Sequence, residues 1–119
     1  MRGKSGLRLR PSKGFGLAGL QTLRSTIVPP GIRWCLESIA WEISKATSGG
    51  NTRCRLYIDR GNEKQFLDEQ LNPVDNWLYT RNENDWLYPG ERLALEIDEG
   101  QAATKATLNA TGYREVCKE

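Results

Sequence analysis

Three pairs of carboxylates, Asp68/Glu69, Glu83/Asp85 and Asp98/Glu99, are the groups in this chain that would divide the acid and nucleophile roles of glycoside hydrolysis. Adjacent residues on a strand point to opposite faces, so Asp68/Glu69 and Asp98/Glu99 are expected as solvated charges that do not converge. The loop Arg81-Asn82-Glu83-Asn84-Asp85 offers the oxygens of Asn82, Asn84 and Asp85 to a calcium ion. It lacks the glycine and the distal glutamate of an EF-hand, and Asx turns in a polar hairpin loop account for it without metal. The sequence holds no histidine, and Cys35, Cys54 and Cys117 are too far apart for a zinc-binding pair. With no phosphate-cradling loop either, the residues point to a protein that binds rather than catalyses, with no cofactor and no metal.

Binding chemistry is concentrated at the N-terminus. Residues 1–24 carry Arg2, Lys4, Arg8, Arg10, Lys13 and Arg24 without an acid, whereas residues 25–119 carry eleven bases against fifteen acids. A basic tail beside an acidic body seeks a different surface from the body itself: an acidic neighbour, another copy of the chain, or nucleic acid. Glycine at positions 3, 6, 14, 16 and 19, with Ser5, Pro11 and Ser12, makes this segment a mobile arm by composition, with Arg2, Lys4, Arg8, Arg10 and Lys13 as its docking residues. Loss of residues 1–20 is therefore expected to leave the body folded. Arg53, Arg55 and Tyr57 share one strand face and, with Trp86, form a second candidate interface. A stacking aromatic between two cations suits nucleic acid, but an edge strand protected by charge gives the same alternation, and an acidic body repels phosphate. Nucleic acid is thus a partner considered for the arm and not for the body.

The elements that would hold these residues are short strands. Ile32, Trp34 and Leu36 alternate after the Pro29-Pro30-Gly31 turn, and Ile39, Trp41 and Ile43 continue on the opposite parity. A strand here needs a bulge near Glu37-Ser38; the alternative over residues 36–46 is an amphipathic helix, which the Trp and Ile content disfavours. Residues 53–59 alternate cleanly with Cys54, Leu56 and Ile58 inward, after the turn Ser48-Gly49-Gly50-Asn51. A strand near residues 23–28, a strand or helical turn over 64–71, short aromatic strands at Trp77-Leu78-Tyr79 and Trp86-Leu87-Tyr88, a half-buried strand through Leu93, Leu95 and Ile97, and two further segments at 104–110 and 112–116 complete the series. About eight short strands imply an all-β sandwich of jelly-roll type, with an arm at 1–24 and a body at 25–119. Trp34, Trp41, Trp77 and Trp86 are expected mainly as core, with one left for an interface. The cysteines read as three reduced thiols, two of them core-facing, which fits synthesis in a reducing cytoplasm. No apolar run has the length of a signal peptide or a membrane span.

From Ile27 to Val116 the chain resembles small jelly-roll virion proteins of tailed bacteriophages. The resemblance lies in the order of four signatures: the Pro-Gly turn before Arg33-Trp34, Asn51-Thr52-Arg53, Leu87-Tyr88-Pro89-Gly90, and Tyr113-Arg114-Glu115-Val116. It implies a non-enzymatic structural protein of the virion, made in the host cytoplasm and forming a homo-oligomer that contacts the major capsid or other virion proteins. A capsid decoration or cement protein is the leading expectation; a neck or tail component, or a carbohydrate- or receptor-binding module, is the alternative.

Overall fold

Two half-strands of opposite parity can bury their apolar residues on one face only if one extra residue intervenes. A computed structural model, which describes residues 4–44 and 52–117, contains that residue. Strand β4 (Ile32–Ile43) pairs with β10 (Thr104–Val116) so that Ser38 faces Thr111 and Leu36 faces Gly112, leaving Glu37 bulged out. Trp34, Leu36, Ile39, Trp41 and Ile43 consequently all enter the core. Gly112 is what permits the close approach: a Cβ there would lie 1.9 Å from the Cys35 carbonyl oxygen. The segments expected separately at 104–110 and 112–116 are one strand, because the irregularity at Gly112 bends the ladder without ending it.

Ten strand segments make two antiparallel sheets. In the first, β1 (Lys4–Leu9) and β2 (Ser12–Phe15) both pair with β10, β10 pairs with β4, and β4 pairs with both β7 (Tyr79–Arg81) and β8 (Asp85–Leu87). The second runs β3 (Gly19–Arg24), β9 (Arg92–Gly100), β5 (Arg53–Asp59), β6 (Lys64–Leu71). Counting β1/β2 and β7/β8 as interrupted single strands gives four strands per sheet, with successive strands alternating between sheets except at the β5–β6 hairpin, which lies within the second. That is the jelly-roll order. Pro11 makes the first interruption: it has no N–H to give, yet its carbonyl accepts from Leu108 N at 3.0 Å, keeping β1 and β2 in line.

The segment read as a mobile arm is corrected here. Residues 4–24 supply two of the eight jelly-roll strands, and the boundary at 24/25 falls at the end of β3. Leu7, Leu9 and Leu23 alternate with Arg8, Arg10 and Arg24, bury their side chains, and gain through the ladders with β10 and β9 the stability that the composition alone lacks. The expected strand at 23–28 begins earlier and stops at Arg24; Ser25 N and Val28 N continue along β9 by single bonds to Leu93 O and Glu91 O, each 2.9 Å. Residues 64–71 are strand, and the first aromatic segment becomes β7 only from Tyr79. The Ser48-to-Asn51 turn, and the end of the 36–46 segment beyond residue 44, lie outside the described residues.

Candidate interaction surfaces

Strand parity sorts the candidate residues between an apolar interior and two outer sheet faces. On the outer face of β5, Arg53 lies 3.8 Å from Glu69 and 3.6 Å from Asp98, and Arg55 lies 3.9 Å from Glu69 with its guanidinium 5.1 Å above the Phe66 ring. Tyr57, expected exposed, is 3% exposed. A bulge in β6 around Leu67 brings Phe66 opposite Tyr57, with ring centroids 5.6 Å apart, and Lys64 Nζ lies 4.9 Å from the tyrosine ring. The stacking platform is therefore capped, and carboxylates partner both of its arginines.

On the outer face of the first sheet, Trp86 is half-buried, with the Arg33 guanidinium 4.7 Å from its ring centroid and Tyr113 edge-on at 6.0 Å. Arg33 Nε donates to Glu115 at 2.6 Å. Beneath this cluster sits Cys35, 1% exposed and absent from the core cluster. Of the two thiols expected in the core, only Cys54 is there; Cys35 is buried on the opposite face. Burial pushes both thiols up, Cys54 to about 12, and the Cys35 thiol also hydrogen-bonds the Tyr113 side chain.

Asp68 and Glu69 separate as strand geometry requires, whereas Glu83 and Asp85 converge on one arginine. Asp68 accepts from Trp41 Nε1 at 3.3 Å on the inner side, while its neighbour Glu69 faces out to the arginines. In the 81–85 loop the oxygens serve an arginine: Arg81 Nε and Nη2 donate to the two oxygens of buried Asp85 at 2.8 and 3.0 Å, Nη2 reaches Glu83 at 3.2 Å, and Nη1 donates to Leu67 O at 3.1 Å. The Asp85 hydrogen bond chiefly pushes the Arg81 pKa up. This clamp ties β7 to β6; the Arg-x-x-x-Asp spacing was its only sequence signal. Among the described residues no group of three His, Cys, Asp or Glu side chains is placed to hold a metal ion.

Of the basic docking residues, Arg8, Arg10 and Lys13 are exposed along the β1/β2 edge, Lys13 Nζ lying 5.3 Å from the Phe15 ring centroid. Arg2 lies outside the described residues, and Lys4 opens β1. At the end of the sandwich formed by the 16–18 and 72–78 loops, Leu17, Leu20, Leu71, Val74, Trp77 and Leu78 are each more than half exposed. Trp77, at 60%, is the most exposed tryptophan, not Trp86.

No protein-family model matches the chain, and no curated protein matches it. Among solved structures, it is similar to a chain of the acidic stable capsid of Helicobacter pylori bacteriophage KHP30, at 12% identity and a TM-score of 0.66, covering 98% of this chain and 94% of that one. This likeness shows the fold. TmCBM61, solved with beta-1,4-galactotriose, is similar at 13% identity and a TM-score of 0.42, over 86% of this chain and 67% of that one. A CBM4 structure is similar at 9% identity and a TM-score of 0.41, over 95% and 94%.

Proposed function

We propose that the chain is a non-enzymatic structural protein of a bacteriophage virion, acting by adhesion as a head decoration or cement. The observation that supports this most is the end-to-end likeness to a chain of a phage capsid, in which almost nothing of either chain is left over. The β1/β2 edge, whose sequence carries Lys4, Arg8, Arg10 and Lys13, is the contact edge toward a neighbour in the shell, and Arg2 precedes it in sequence. Major capsid protein or other virion proteins are the partners, at the surface of the particle.

The test is adhesion itself. Heads lacking the chain, mixed with the purified protein and sedimented, will carry it into the pellet, and Arg8→Glu/Arg10→Glu will reduce the bound fraction. Protein that stays in the supernatant contradicts the proposal. A second reading, a carbohydrate-binding module, is favoured by the exposed Trp77 indole, whose face suits a pyranose ring. Glycan-array binding abolished by Trp77→Ala would replace the first reading with the second.

A further inference from the structure

Charge is divided between the two lateral edges of the sandwich. On one side lie β1, β2 and β3, within residues 1–24, which carry six bases and no acid. On the opposite side lie β6, β7 and β8, and residues 63–85 hold six acids against two bases, a net of −4 that accounts for the whole net charge of residues 25–119. Both bases on that side are engaged, Lys64 with Glu96 and Arg81 with Glu83 and Asp85, and Glu69 is shared by Arg53 and Arg55 of β5. On the basic side, Arg8 and Arg10 are exposed and make no ion pair or hydrogen bond with a described side chain, whereas Arg24 lines a cavity on the outer face of the second sheet with Tyr57, Asp59, Glu63 and Glu96.

Register sets these charges level with one another. Arg8 pairs with Thr111, which pairs with Ser38; across β4 the next partners are Arg81 and Asp85, so the loop holding Glu83 sits at the height of Arg8 on the far edge. In the second sheet Arg24, Ala94, Tyr57 and Phe66 form one row, placing Arg24 between the heights of Glu63 and Glu69. Each sheet has an even number of antiparallel strands, so β1 and β7/β8 run in opposite directions, as do β3 and β6. A copy moved sideways presents its acidic edge, antiparallel and at matching height, to the basic edge of the first.

The geometry points to head-to-tail association of this chain with itself, the β1/β2/β3 edge of one copy meeting the β6/β7/β8 edge of the next. Such a heterologous contact closes into a ring when its rotation permits. Two basic edges repel, which disfavours the isologous alternative. The inference names the neighbour for the edge in the proposal above, and the purified chain alone tests it, so it can fail while the virion assignment stands.

Arg8→Glu/Arg24→Glu makes both edges acidic, and Glu63→Lys/Glu83→Lys makes both basic. Sedimentation velocity of the wild type will show oligomers at about 50 mM salt that weaken at least about tenfold in Kd by about 500 mM. Each variant, checked as folded by thermal melting, will be monomeric alone, and the two mixed will associate again. A monomeric wild type at low salt, variants that associate unaided, or folded variants whose mixture stays monomeric would each overturn the inference.

Discussion

The Gly112 position shows how much one atom decides. Any side chain there drives a Cβ into the Cys35 carbonyl at the bulge, and both partners are backbone, so neither can swing aside. Gly112→Ala should cost roughly 3 kcal/mol or more, read as a drop in the urea midpoint. Asp85→Ala leaves the Arg81 fork without its bidentate acceptor and should cost about 2 kcal/mol, freeing the 81–85 loop and raising its amide exchange. Cys54 sets a pH limit. Its ordinary value is 9.0 and burial raises it to about 12, so above pH 9 the unfolded chain ionises where the folded chain does not. Stability should be level below that point and then fall with rising pH by up to about 1.4 kcal/mol per unit; Cys54→Ala, compared by urea melts from neutral pH to about 10.5, should flatten the decline. Sequence parity found Cys54, but it could not show that Phe66 would cap Tyr57, because that contact depends on a bulge in a different strand.

At the scale of elements, the bulged β4 and the clean alternation of β5 and β9 were legible because each strand alone carries enough apolar residues to fix its inner face. The N-terminal strands were not. Leu7-Arg8-Leu9-Arg10 does alternate, but glycine and net charge outweigh so short a run until β10, thirteen residues long, offers a ladder along its whole length. Truncation is therefore destabilising, contrary to the expectation for an arm. Removing residues 1–15 deletes β1 and β2, with buried Leu7 and Leu9 worth about 1.5–3 kcal/mol each, and uncovers the edge of β10. The truncated chain should melt at lower temperature and aggregate; a melting curve equal to that of the full chain would restore the arm.

For the whole molecule, the jelly roll turns a sequence-level charge imbalance into a spatial one. Residues 4–24 become one lateral side and strands β6, β7 and β8, within residues 63–85, the other, and only the strand order reveals that these segments lie on opposite edges. Val74, Trp77 and Leu78, between β6 and the start of β7, add an exposed apolar surface beside these charged edges. Fold class was legible from strand count and turns; the site was legible only in part, since Arg8, Arg10 and Lys13 are exposed as expected whereas Tyr57 is covered and both Arg53 and Arg55 are paired. The most direct test of the structural role is the number of copies per purified particle, measured by quantitative mass spectrometry against the major shell protein. A head decoration predicts on the order of hundreds, following shell symmetry. Absence of the chain from purified particles would contradict the account.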